Sequence, residues 1–181
     1  MLKDRIKRWW QGHGFGIESK TDFNFLHEIL KENTPYYAYE EWKELFPDAS
    51  AEEMELAKLL MRLCNSIQPA SVHIYGNASP LTKKALKDGC KNVKTTHHSS
   101  PFFRFLTVNI RSKIEHGTAV EILPHSMDEV KDCVAIVLSH INSHNSSLWK
   151  AMVKAPIITY DMRDIGVAVM RKGRFPEHYN I

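Results

Sequence analysis

The sequence predicts an α/β fold: a doubly wound, mostly parallel sheet of about six strands, with an antiparallel C-terminal hairpin and an N-terminal helical extension. Strand-like runs alternate with helical patterns from residue 70 onward, which is typical of sheets with helices on both faces. Residues 133–138 are apolar throughout, as expected of a strand buried on both faces. With 181 residues, of which 43% are hydrophobic, the chain can bury a substantial core.

The first 47 residues are predicted to form the helical extension, and residues 48–181 the α/β domain. Apolar positions at helical spacing predict three helices in the extension. They cover residues 3–10, 22–32 and 36–45. Three glycines between residues 12 and 16 follow the first helix. We interpret them as a flexible connector, because a nucleotide-binding loop needs a strand before it and a helix after it.

A capping box marks the best-defined helix of the α/β domain. Ser50 is followed three residues later by Glu53, and apolar residues then recur at helical spacing until Pro69 ends the pattern. The first predicted strand covers residues 70–76. Ser79, followed by a proline, is then expected to cap the next helix, which extends to about residue 88.

The remaining predicted elements continue the alternation. Further strands are expected at residues 92–96, 119–123, 133–138, 156–160 and 165–170, and further helices at residues 102–114 and 146–154. A second capping box, Ser126 to Glu129, predicts one short helix between the strands at 119–123 and 133–138. Because a short polar turn joins the last two strands, we predict that they pair as an antiparallel hairpin.

Charge and cysteine content exclude several classes of protein. With 24 basic and 21 acidic residues, the net charge of +3 is too balanced for a nucleic-acid partner. No apolar run approaches the roughly 20 residues of a membrane span, and the charged N-terminus does not resemble a secretory signal. We therefore expect a cytoplasmic protein without a membrane partner. Its three scattered cysteines favour reduced thiols over disulfides or zinc ligands.

Both ends of the chain resemble one protein family. Residues 14–23 and the motif Pro-Tyr-Tyr-Ala-Tyr-Glu-Glu at residues 35–41, together with residues 159–181, are similar to segments of class I S-adenosylmethionine-dependent methyltransferase-like (O-methyltransferase-like) proteins of Bacteroides-type bacteria. The middle of the chain matches in pattern only and is about one strand–helix unit short between residues 96 and 118. The resemblance implies a Rossmann-like fold, S-adenosylmethionine as the cofactor and a small-molecule substrate.

The resemblance also implies a cofactor site formed by Gly76, Asn77, Ser79 and His97. In the family, a glycine-rich loop after the first strand lets the backbone approach the cofactor, and the next helix contributes amides. This loop has one glycine, and Pro80 removes an amide. The family's second strand ends in an acid that binds the ribose hydroxyls, whereas this one runs into His97. Losing that acceptor is expected to cost about 1.5–3 kcal/mol.

These departures predict a methyltransferase-like protein with a degenerate S-adenosylmethionine site, acting as a non-catalytic binding or interaction module. One alternative is an active S-adenosylmethionine-dependent O-methyltransferase acting on a small molecule, with His97, His140 or Asp161 as the base. A second alternative is a nucleotide or anion binder that uses the helix N-terminus at Ser79. His140 and His144 have i, i+4 spacing, but no third ligand is identifiable, so no metal site is predicted.

Overall fold

The computed structural model describes residues 2–98, 114, 117–128 and 132–181. The α-helices in these ranges are α1 (Leu2–Gly12), α2 (Lys20–Phe25), α3 (Tyr37–Leu45), α4 (Ala51–Ile67), α5 (Pro80–Gly89) and α6 (Ser146–Lys154). A π-helical segment, Leu26–Leu30, directly follows α2. The strands are β1 (Ser71–Gly76), β2 (Lys94–His98), β3 (Thr118–Leu123), β4 (Cys133–Ser139), β5 (Ile158–Met162), β6 (Ile165–Arg171) and β7 (Glu177–Asn180).

The described strands form one mixed sheet in the order β2-β1-β3-β4-β6-β5-β7. Strand β1 is parallel to β2, and β5 is parallel to β7. The pairs β1–β3, β3–β4, β4–β6 and β5–β6 are antiparallel. Strands β3 and β6 therefore run opposite to the other five.

The predicted α/β class is confirmed, but the prediction of a mostly parallel sheet is wrong. The reversal of β3 is the main difference. A central strand covered by helices is apolar whether its neighbours are parallel or antiparallel, so the apolar run of β4 did not determine strand direction. The expected antiparallel pair is present as β5 and β6. It is not terminal, because β6 also pairs with β4 and the seventh strand, β7, follows it.

Successive side chains of each strand point to opposite faces of the sheet, and helices cover both faces. On one face, Val72 and Ile74 of β1 pack in a cluster with Leu60 and Leu63 of α4. The cluster on the other face joins strand residues to helix α6; it includes Tyr75, Ile136, Leu138, Leu148, Trp149 and Met152. Burial on both faces explains why the central strands are almost entirely apolar.

The N-terminal extension contributes to the same core as the sheet. Phe25, Leu26 and Leu30 belong to the cluster that contains the side chains of β1 and α4. Asp22 is fully buried and lies opposite Arg171 at the end of β6. The boundary at residue 47 stays a prediction, but the segment before it packs directly onto the strands.

Local helix signals correspond closely to the structure. Ser50 Oγ accepts a hydrogen bond from the Glu53 amide at 3.1 Å, and Ser79 Oγ accepts one from the Thr82 amide at 3.1 Å. Helix α6 ends at Lys154 as predicted, but its N-cap is Asn145, which makes no side-chain cap hydrogen bond, and Ser146 already lies in the helix. Apart from Ile114, the helix predicted over residues 102–114 lies outside the described residues. In the part of the chain that the structure describes, no helix is long and apolar enough to span a membrane.

Candidate functional site

The carboxyl ends of β1, β4 and β5 lie at one edge of the sheet, together with the first residues of β3 and β6. Gly76 at the end of β1 is opposite Thr118, and Ser139 at the end of β4 is opposite Ile165. A cavity of about 650 Å³ opens at this edge, between the strands and the start of α4. We call it the rim cavity. Its volume lies within the range of roughly 300–1,000 Å³ that is usual for small-molecule sites.

The protein's own backbone closes the loop after β1. The Asn77 amide donates a hydrogen bond to the Gly117 carbonyl at 3.1 Å, and the Asn77 carbonyl accepts one from Thr118 Oγ1. Gly76 has a φ of +80°, and a Cβ atom there would lie 2.7 Å from the Gly117 oxygen. Glycine is needed here because another segment of backbone crosses the end of β1. The polar backbone groups of Asn77 are therefore already paired within the chain.

Ser139 links the end of β4 to the start of β3. Its Oγ accepts a hydrogen bond from the Thr118 amide at 2.9 Å and donates one to the Thr118 carbonyl at 3.2 Å. The Ser139 carbonyl accepts a hydrogen bond from Asn145 Nδ2 at 2.8 Å. All three residues are buried. These bonds give the floor of the rim cavity a defined geometry.

A histidine–aspartate pair lies beside this floor. His140 Nδ1 is 3.1 Å from Asp164 Oδ2, and the two side chains are 37% and 40% exposed. A carboxylate at Nδ1 orients the imidazole and leaves Nε2 as its second polar atom. His140 and Arg163, which both line the cavity, have φ values of +57° and +76°. Left-handed backbone is uncommon for residues other than glycine and is concentrated at functional sites.

Within the described ranges, the ionisable lining of the rim cavity is predominantly acidic. Its carboxylates are Glu52, Glu53, Glu55 and Asp164. Arg163 supplies the opposing guanidinium. Since like charges repel, this balance favours a neutral or cationic ligand over one that carries phosphate.

Two of the four predicted cofactor-binding residues, Asn77 and Ser79, line the rim cavity, and Gly76 directly precedes them. Ser79 Oγ also donates a hydrogen bond to Thr82 Oγ1 at 3.2 Å, in addition to capping α5. His97 is exposed on β2 and is not among the described residues that line the cavity. The structure thus brings three of the four positions together.

Among the three candidate bases, His140 lines the rim cavity, whereas His97 and Asp161 do not. Asp161 Oδ1 accepts hydrogen bonds from Arg8 Nη1 at 3.0 Å and from the Arg163 amide at 2.9 Å. It therefore holds the N-terminal helix and the β5–β6 turn in place. No group of three or more side chains suited to metal binding is found within the described ranges.

A second polar cluster lies on the sheet face opposite α4. Tyr75 OH donates a hydrogen bond to Glu121 Oε2 at 3.0 Å. His73 Nδ1 lies 2.7 Å from His98 Nε2, with the two rings stacked 4.9 Å apart. His73 is buried, with 7% of its surface exposed. His98 therefore points toward this cluster, and its neighbour His97 points to the opposite face of the sheet, because successive residues of a strand alternate between faces.

Sequence reasoning missed Thr118, Ser139 and Asp164. Thr118 begins β3, and Asp164 directly precedes β6. These are the two reversed strands, so their first residues meet the last residues of β1 and β4 at one edge. The missing information was strand direction, and the polar turn at residues 163–164 was the available signal.

This arrangement has two chemical capabilities. The cavity can enclose a small polar molecule, and His140 can accept a proton from a hydroxyl group held beside Nε2. Both follow from the chain's own geometry. Comparison with known protein families, curated proteins and solved structures yields no match to this chain.

Proposed function

We propose that the protein is a methyltransferase-like protein with a degenerate S-adenosylmethionine site, and that it serves as a non-catalytic, small-molecule-binding module in the cytoplasm. One observation carries the proposal: the Asn77 amide is bonded to the Gly117 carbonyl at 3.1 Å. In the family that the sequence resembles, the corresponding loop presents bare backbone to the cofactor. Here, the segment that leads into β3 accepts the hydrogen bond from that backbone, in the position that the cofactor has in the family. The free, buried cysteines agree with a reducing compartment.

The rim cavity itself suggests the class of ligand. It has room for a small molecule, and among the described residues four carboxylates line it against one guanidinium. We therefore propose a neutral or cationic polar ligand. The hypothesis of an anion binder has less support, because Ser79 already caps its own helix and the surrounding charge is negative.

Titration calorimetry with S-adenosylmethionine and with its demethylated product tests the proposal. We expect neither to bind with a Kd below about 100 μM, which corresponds to about 5.5 kcal/mol. Tighter binding of either compound would contradict a degenerate site. A thermal-shift screen of amines against phosphate esters tests the ligand class. Amines should raise the melting temperature, and Asp164→Asn should reduce that effect.

An active O-methyltransferase is the second candidate, and the His140–Asp164 pair favours it. This candidate predicts transfer of labelled methyl groups from S-adenosylmethionine to hydroxylated small molecules. Transfer should be lost in His140→Ala and retained in His97→Ala, a matched substitution at an exposed position outside the cavity. The proposed function predicts no methylated product from any of the three proteins.

A further inference from the structure

Helix α1 packs on the protein through its polar face. Arg8 Nη1 donates hydrogen bonds to Asp161 Oδ1 at 3.0 Å and to the Ile181 carbonyl at 3.2 Å. Gln11 Oε1 accepts a hydrogen bond from the Asn180 amide at 2.9 Å. Residues three apart in a helix lie on the same face, so this face is directed toward β7.

The outward face of α1 is apolar. Ile6, Trp9 and Trp10 are 51%, 58% and 52% exposed, and Phe15, just beyond the helix, is 52% exposed. The rings of Trp10 and Phe15 lie 4.9 Å apart. We call these four residues the aromatic patch. A helix packed for the stability of the fold would turn this face inward. Its outward orientation instead marks a surface for interaction.

The aromatic patch lies in a basic part of the sequence. Residues 1–12 contain four basic residues and one acidic residue, Lys3, Arg5, Lys7 and Arg8 against Asp4. Their net charge of 4 − 1 = +3 equals that of the whole chain, 24 − 21 = +3. The other residues together are therefore neutral. Arg5 and Lys7 are exposed beside the patch, so positive charge accompanies the apolar surface.

We propose that α1 binds the protein to a membrane surface containing anionic lipid, with the aromatic patch at headgroup level and Arg5 and Lys7 against lipid phosphates. Tryptophan favours the membrane–water interface, and interfacial helices combine an apolar face with basic residues. Tryptophan, phenylalanine and arginine are also common at protein interfaces, so binding to a protein surface is the alternative that the vesicle experiments below distinguish. The sequence-based expectation of no membrane partner rested on the lack of a spanning segment, which an interfacial helix does not need.

Intrinsic fluorescence of the full chain provides a direct test. Of the four tryptophans, Trp42 and Trp149 are 0% and 5% exposed, so Trp9 and Trp10 dominate any response to lipid. Titration with vesicles of phosphatidylcholine and phosphatidylglycerol in equal parts should shift emission to the blue. Co-sedimentation with the same vesicles should be at least tenfold stronger than with phosphatidylcholine alone, and weaker at high salt.

Two double variants separate the apolar and ionic contributions. Trp9→Ser with Trp10→Ser should weaken sedimentation at least tenfold, and Arg5→Glu with Lys7→Glu should abolish the preference for anionic vesicles. Tyr37→Ser, at a 99% exposed aromatic residue in α3, is the matched control and should bind as the parent does. Thermal melting checks that each variant is folded. The proposal is overturned if anionic vesicles do not bind the parent, if the tryptophan variant binds equally well, or if the patch proves to be a contact between two copies in lipid-free solution.

Discussion

The carboxylate of Asp22 joins the N-terminal extension to the end of β6. It is fully buried, with Oδ1 3.8 Å from Arg171 Nη1 and Oδ2 in contact with Arg174 Nη2. The Arg171 side chain is 4% exposed, and its guanidinium lies 4.7 Å from the centre of the Phe25 ring. Arg174 is 24% exposed and can turn toward water. Arg171 is therefore the charge that depends most on Asp22.

We expect Asp22→Ala to lower the free energy of unfolding by about 3–5 kcal/mol. Removing one partner of a buried ion pair has this cost because the remaining charge stays buried without compensation. A change of 1 kcal/mol shifts the melting temperature of a domain of this size by about 2–4 °C, so the melting temperature should fall by roughly 6–20 °C. Most of this loss arises at Arg171, since Arg174 can become hydrated.

Urea denaturation followed by circular dichroism measures the loss. The double variant Asp22→Asn with Arg171→Met removes the uncompensated charge together with its partner. Its loss of unfolding free energy should therefore be smaller than the sum of the losses measured for Asp22→Asn alone and Arg171→Met alone. A loss below about 1 kcal/mol for Asp22→Ala, which is the contribution of an exposed ion pair, would refute the reasoning. The extension would then be held by its apolar contacts alone.

Three further perturbations test the packing. Gly76→Val should cost at least about 1–2 kcal/mol in urea denaturation, because it forces a branched residue into left-handed backbone against Gly117; an unchanged midpoint would contradict the backbone crossing. Burial raises the pKa of Cys64 to about 12 from its usual 9.0. Above pH 9 the thiol ionises in the unfolded chain but not in the folded one, so the free energy of unfolding measured in urea should fall by up to about 1.4 kcal/mol per pH unit. Cys64→Ala should reduce that dependence on pH. Gly166→Ala places a Cβ 2.5 Å from the Trp149 ring and should cost about 1–3 kcal/mol. Trp149→Leu in the same chain should recover part of that loss in thermal melts.

The helices were the most predictable part of the fold. Ser50 and Ser79 could be identified from residues within one turn, because a helix cap bonds to amides next to it in sequence. Strand β7 was not included in the predicted count. Of its residues, Glu177–Asn180, the first two are exposed and only Tyr179 is buried, so no apolar run marks the strand. They form a strand because β5 offers a free edge.

The candidate site was predictable only where it depends on the loop after β1. Asn77 and Ser79 line the rim cavity at the carboxyl ends of the strands, where ligands bind in α/β sheets. Their role in binding a cofactor stays a prediction. The His140–Asp164 pair was not predicted, although His140 was considered singly. Asp164 reaches it through the turn between β5 and β6. The polar turn could be recognised in the sequence, but its contact with His140 depends on strand direction, which could not.

By itself, the sequence determined the α/β class, the positions of the main helices and the loop whose single glycine departs from the family it resembles. Only the tertiary structure decided the direction of β3, and with it the segment that bonds to Asn77. It also decided that α1 turns its tryptophans outward, because Arg8 and Gln11 find partners on the distant C-terminal strands. Local patterns record whether a residue prefers burial, whereas strand direction and helix orientation depend on pairing between segments far apart in the chain.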